Sequence, residues 1–330
     1  MSSRKKRTLF CFGLIILLGL SLGLSLVIGP VPTRPLDLWN FLYHQDQTYR
    51  TIFVDLRLSR ALLAFLVGAS LSLSGAILQG FFQNPMADPF VVGVSSGASL
   101  GAVFCLFLGL EVTVIGFSLQ SLFAFGSGFA LVSLVYVISQ KKSAFRVETL
   151  LLTGIAAGAL ASSLTSFFLF MRADSFEQAV FWLLGSFSLA EWRQVIAVAP
   201  YFFACLLAAQ WLAKDMNLLV LGDEMAQSLG SPVARVRKLF LAVATLLAAI
   251  SVSVSGIIGF VGLVVPHWVR ILVGPDHRYL FLLSSLTGGT FLVACDLLAR
   301  SLLSPTELPV GIITAAFGAP FFIYLLHRKR

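Results

Sequence analysis

An all-α, polytopic membrane fold of ten spanning helices is what this sequence predicts, on three observations. Of its 330 residues, 58% are hydrophobic and only 12% are charged, whereas soluble domains carry roughly 25% charged residues. The apolar residues gather in blocks long enough to cross a bilayer as helices, which rules out the short alternating strands of a porin-type barrel. Lys and Arg are shared unequally between the two sets of connecting segments, as orientation in a membrane requires. The mean hydropathy of +0.93 agrees, and the whole chain, 1–330, reads as one domain.

The first span runs from Leu9 to Ile28 and ends at Gly29-Pro30. No small-x-small cleavage site leads from it into a soluble domain, so it reads as a spanning helix and not as a removed signal peptide. A proline-containing polar stretch then reaches Asp55. The second span, Arg57 to Gly80, carries Gly68, Ser72, Gly75 and Ala76, small surfaces that let membrane helices approach closely. Gln83 to Pro89 breaks the chain, because Pro85 and Pro89 cannot continue a helix comfortably. The third span is Phe90 to Leu110, the fourth Val114 to Ile138 and the fifth Glu148 to Met171. Phe176 to Phe187 forms a short interfacial helix, with Trp182 and Trp192 suited to the membrane boundary. Gln194 to Leu212 is the sixth span.

The stretch from Leu218 to Lys238 is polar where its surroundings are apolar. Leu221, Met225, Leu229 and Val233 recur at four-residue spacing, and Gly230-Ser231-Pro232 would close a short amphipathic helix. It is either an ordinary loop or a surface helix shaped for a partner. The seventh span follows from Leu239 to Val254. Gly256 to Gly274 is an eighth element, broken or tilted by Gly256, Gly259, Gly262 and Pro266. Tyr279 to Leu298, containing Asp296, is the ninth span and Leu308 to Leu326 the tenth.

With the N-terminus inside, 16 of the 23 Lys and Arg fall on the cytoplasmic side: Arg4, Lys5, Lys6, Arg7, Lys141, Lys142, Arg146, Lys214, Arg235, Arg237, Lys238, Arg270, Arg278, Arg328, Lys329 and Arg330. The other seven are Arg34, Arg50, Arg57, Arg60, Arg172, Arg193 and Arg300. Both termini and the segment 218–238 are thereby predicted to be cytoplasmic. The net charge of +8 is explained by these flanks and not by nucleic acid. Cys11, Cys105, Cys205 and Cys295 make no metal spacing, and His44, His267, His277 and His327 are scattered. There is no phosphate-binding GxxxxGK[ST] loop and no HExxH. The chain reads as a non-enzyme that binds no cofactor.

Arg57 to Ala102, RLSRALLAFLVGASLSLSGAILQGFFQNPMADPFVVGVSSGASLGA, carries a recognisable pattern with LGDEMAQSLG, with Gly256 to Arg278 and with Asp296 to Leu325. These four segments, in this order, resemble the FecCD family, permease subunits of ATP-binding cassette (ABC) importers for iron-siderophores, haem and vitamin B12. The resemblance implies a fold like the vitamin B12 permeases, that is, a type II ABC importer in a bacterial inner or cytoplasmic membrane. It also implies a second permease copy, two cytoplasmic ATPases that bind ATP and Mg, and a periplasmic or lipid-anchored substrate-binding protein. Iron-siderophore is the first cargo expected, with haem or cobalamin as the alternative.

The resemblance assigns ATPase coupling to Leu221, Gly222, Asp223, Glu224, Ala226, Leu229, Gly230 and Pro232. Asp223 and Glu224 would either meet basic groups on the ATPase or only cap their own helix. Arg57, Arg60 and Arg300 match positions that dock acidic residues of the binding protein; interfacial snorkelling, or an Arg300–Asp296 pair, is the plainer alternative. Asn84 and Pro85, with Gly259, Pro266 and His267, mark helix breaks or a gate, Asn84 being expected to cap the chain. Ser95, Ser96 and Ser99 either line the path or serve helix packing. Two other classes compete: an ion-coupled secondary transporter, which would need a buried carboxylate set, and a membrane enzyme, which would need a polar constellation at one depth.

Overall fold

The computed structural model describes residues 3–29, 31, 33, 37, 47–110, 112–114, 117–140, 147–172 and 176–328. Arg34, His44, Lys141, Lys142, Arg146, Lys329 and Arg330 lie outside them. Thirteen helices are named here among the described residues. They are α1 (Ser3–Val27), α2 (Gln47–Phe81), α3 (Val94–Leu108), α4 (Leu119–Ser139), α5 (Val147–Met171), α6 (Phe176–Leu183) and α7 (Trp192–Trp211). After these come α8 (Ala213–Leu219), α9 (Asp223–Ser228), α10 (Val233–Ser255), α11 (Val261–Val273), α12 (His277–Ser301) and α13 (Val310–Arg328). Seven of them, α1, α2, α4, α5, α7, α10 and α12, are long and apolar enough to cross a membrane. The fold is all-α and multi-pass. The apolar helices at the third, eighth and tenth predicted spans are shorter.

Local chemistry explains the helix starts. The Ser118 hydroxyl accepts from Ser121 N at 3.2 Å to open α4, and Asp276 accepts from Arg278 N at 3.1 Å to open α12. Glu191 and Gln194 form a capping box on α7. Several boundaries differ from those the sequence predicts, among them the second span, which begins at Gln47 and not at Arg57. The fourth span begins at Leu119 and not at Val114, because Thr113–Val114 pairs with Phe117–Ser118 in a minimal antiparallel hairpin. The seventh begins at Val233, so Arg235, Arg237 and Lys238 lie within α10. The break in the eighth element falls at Gly256–Phe260, upstream of Pro266, which is inside α11.

The helix α2 is the axis of the bundle. Its Thr51–Leu58 portion is a π-helical turn, and from Ser59 onward nearly every side chain is buried. Small residues set its two closest crossings. A Cβ on Gly68 would overlap the Gly288 carbonyl of α12, and one on Gly75 would overlap the Gly262 carbonyl of α11. Between apolar helices in lipid this backbone-to-backbone approach replaces the hydrophobic driving force available in water. One bundle end collects the start of α2, the end of α12 and the start of α7, where Trp192 Nε1 donates to the Val54 carbonyl at 3.1 Å. At the other end Arg7 Nε donates to the Val273 carbonyl at 3.1 Å and Gln83 Nε2 to the Leu219 carbonyl at 2.8 Å. The start of α1 therefore shares an end with α8 and α9.

Candidate functional site

At the first end, the three arginines singled out by the sequence converge. Arg57, Arg60 and Arg300 line a 220 Å³ cavity with Val31, Phe187 and Glu307. Their side chains are buried and committed. Arg60 Nε lies 3.0 Å from both Asp296 oxygens and its Nη2 lies 2.8 Å from Oδ1, while Nη1 reaches Glu307 at 3.0 and 2.8 Å. Arg300 donates to the Ser25 carbonyl and hydroxyl at 2.7 and 2.6 Å and lies 3.7 Å from Asp296. The main partner of Asp296 is thus Arg60, from another helix, and not Arg300 one turn away. Arg57 differs from both. It donates to the Leu26, Val27 and Val31 carbonyls and the Thr33 hydroxyl, all neutral, and among the described residues no carboxylate pairs with it. The cluster holds three cations against two carboxylates, so positive charge is left over at the cavity.

At the opposite end, α8, α9 and the turn into α10 form an arm. Met216 and Leu219 of α8 and Ala226 of α9 face inward, buried. Leu221, Met225 and Leu229 point the other way and are 64%, 53% and 57% exposed. Gly222 and Gly230, at φ 105° and 86°, let the chain reverse on either side of α9. Two polar bonds stiffen the arm: Arg237 Nη2 meets Asp223 Oδ1 at 2.6 Å, and the Ser231 hydroxyl meets Asp215 Oδ1 at 2.8 Å. Asp223 is therefore tied to α10, while Glu224 and Pro232 stay exposed.

Of the remaining sequence candidates, Asn84 and Pro85 follow Gln83 at the same end as the arm. Asn84 Oδ1 accepts from Met86 N at 2.9 Å in the break that also holds Pro85. Asp88 accepts from Phe90 N at 2.8 Å, and burial pushes its carboxyl up to about 6. Gly259 lies in the non-helical stretch before α11, and His267 is buried beside Pro266. Ser96 packs towards Gly158 of α5, Ser99 bonds the Ser95 carbonyl at 2.8 Å, and Ser95 is partly exposed.

Sequence reasoning missed Gln79, Asn217 and Glu307. Pro266 has no N–H for the Gly262 carbonyl, and the fully buried Gln79 amide reaches that carbonyl at 3.5 Å and the Leu263 carbonyl at 3.0 Å. Its Oε1 also accepts from Arg270 at 3.3 Å. Gln79 is the one amide in the apolar run from Arg57 to Gly80, and that was a usable signal. Asn217 was passed over because α8 falls mostly between the sixth span, ending at Leu212, and the polar stretch beginning at Leu218.

A multi-pass helical membrane protein with a stiffened arm at one end and a cationic cavity at the other belongs to the class of transport permeases. The model of the FecCD transport family matches residues 15–328, and the chain belongs to that family. It is similar to the cobalamin import system permease protein of Halobacterium salinarum, 47% identical over 283 residues, which cover 86% of this chain and 75% of the relative. It is 36% identical over 333 residues to the hemin transport system permease protein of Yersinia pestis, covering 98% and 96% of the two chains. A metal-chelate type ABC transporter solved in an inward-facing conformation superposes with a TM-score of 0.83 at 34% identity, covering 96% of this chain and 98% of that one. As an ABC-importer permease subunit, the chain leaves ATP hydrolysis to a separate ATPase. A paired permease, an ATPase dimer and a substrate-binding protein complete the importer.

Proposed function

We propose that this permease carries an intact cobalamin-type chelate inward, with the closely related tetrapyrrole haem as the next cargo. This reverses the order expected from the sequence, where iron-siderophore came first. The observation that carries it is the 47% identity to a cobalamin permease against 36% to the hemin permease.

In this proposal the chain has ten spans, the three shorter apolar helices completing the seven long ones, and both termini are cytoplasmic. The segment 218–238 is the coupling segment. Leu221, Met225 and Leu229 offer an apolar face that water disfavours and an ATPase groove would cover, with Gly222, Ala226, Gly230 and Pro232 shaping it. Asp223 serves the arm internally, which leaves Glu224 as the acidic residue available to the ATPase. Arg57, Arg60 and Arg300 form the docking cavity for the binding protein, with Arg57 the residue most in need of an incoming carboxylate. Asn84, Pro85, Gly259, Pro266 and His267 shape the breaks and gate, and Ser95 and Ser96, partly exposed where Ser99 is buried, are the serines better placed for the path.

The test is uptake by proteoliposomes holding the permease, its ATPase and its binding protein. ATP-dependent accumulation of cobalamin, competed weakly by ferric hydroxamate, is expected. Accumulation of ferric hydroxamate but not cobalamin would overturn the cargo, and uptake following a proton gradient without ATP would overturn the class.

A further inference from the structure

We infer that Asn217 is a positioning residue, the joint through which the coupling arm grips α12; this rests on the coupling role proposed for α9. Asn217 spends its whole side chain on the first turn of a helix to which it does not belong. Its Oδ1 accepts from His277 N at 3.0 Å and faces His277 Nδ1 at 2.7 Å, while its Nδ2 donates to Asp276 Oδ1 at 2.9 Å. Asp276 already caps α12, so the amide supplies a second cap from α8. The bonded Oδ1 requires the proton on Nδ1, and His277 Nε2 then points towards Gly80 at the end of α2 and beside Met216 of α8. Three elements, α2, α8 and α12, meet there within one helical turn.

Both sides of this joint are stiff. The Ser231–Asp215 and Arg237–Asp223 bonds lock the arm into one body, so a push on Leu221, Met225 and Leu229 arrives at Asn217 without being absorbed by a loose loop. Beyond the joint, α12 runs unbroken from His277 to Ser301 and carries Asp296 and Arg300 in its last turns. The 19 residues from His277 to Asp296 span about 28 Å at the α-helical rise. One helix therefore connects the arm to the arginine cavity, and Asn217 is its handle. Gln83 supplies a lesser tie, one bond to the Leu219 carbonyl at 2.8 Å.

The experiment uses the assembled transporter in proteoliposomes with cyanocobalamin and loaded binding protein, comparing Asn217→Ala, Asn217→Asp and Leu229→Asp. Asn217→Ala removes all three bonds. Asn217→Asp keeps the acceptor for His277 but sets a second carboxylate against Asp276. Both Asn217 variants are expected to co-purify with the ATPase and to hydrolyse ATP without binding protein. The ratio of stimulated to unstimulated hydrolysis should fall about tenfold, with uptake falling in parallel. A purely structural role for Asn217 would lower thermal stability and leave that ratio unchanged. A parental ratio in both Asn217 variants overturns the joint, and if Asn217→Ala does not assemble, the ratio in Asn217→Asp decides. Leu229→Asp separates the two ideas. If it couples normally, the coupling role of α9 fails; if it uncouples while both Asn217 variants behave as the parent, only the joint fails.

Discussion

At Asp296 a carboxylate that is almost wholly buried is held by two guanidinium groups from different faces, and removing one partner exposes what the arrangement costs. Charged groups are expensive to bury, and breaking a buried pair leaves the remaining charge uncompensated, which typically costs about 3–5 kcal/mol. Arg60→Ala leaves Asp296 with Arg300 at 3.7 Å and strips Glu307 of its partner at 2.8 Å. Its cost is expected at the lower end, about 3 kcal/mol, because Arg300 still neutralises part of the charge. Glu307→Gln should cost about 1 kcal/mol or less, since that carboxylate is partly solvated. Thermal unfolding in detergent checks the order, and equal losses for the two variants would refute this reading of the cluster. The sequence showed the Asp296–Arg300 spacing but could not show Arg60, 236 residues away in the chain, because only the α2–α12 crossing brings them together.

Among the elements, the break between α2 and α3 is where local chemistry is most exposed to pH. Asp88 caps the 3-10 turn Pro89–Val92, and burial raises its carboxyl to about 6. An acid whose folded value is raised binds more protons folded than unfolded between about pH 4 and 6, so stability falls as pH rises through that window and is level above it. Asp88→Asn keeps an oxygen for Phe90 N and removes the titration. The variant should match the parent near pH 4 and exceed it above pH 6 by up to about 3 kcal/mol. Parallel pH profiles of unfolding would refute it. The break itself was legible, because two prolines in five residues leave few alternatives. The arm was legible in part: four-residue spacing located α9 but not α8, whose seven residues fall mostly between the sixth span, ending at Leu212, and the polar stretch beginning at Leu218. Pro266 misled because a proline reads as a break, while here the Gln79 amide from a distant segment lies against the carbonyl that the missing N–H leaves free.

Over the whole molecule, orientation follows from where the charges lie relative to the two ends. Arg7 shares an end with α8, α9, Arg235, Arg237, Lys238 and Arg278, whereas Arg57, Arg60, Arg172 and Arg300 gather at the other. A membrane potential and anionic inner leaflet favour the first end inside. Leu189, 84% exposed, lies in the α6–α7 connection at the arginine end, and Gln227 is exposed on α9 at the opposite end. The native Cys105, Cys205 and Cys295 are buried in apolar helices and Cys11 lies half-buried within α1, so background reaction with a membrane-impermeant maleimide should be small. In intact cells Leu189→Cys should react and Gln227→Cys should not, and the second should react only after the membrane is opened. The reverse pattern would invert the molecule, moving the arm away from any cytoplasmic ATPase and the arginine cavity away from any external binding protein. Equal labelling of both without permeabilisation would place the two ends on one side, which a set of spanning helices joining them cannot accommodate.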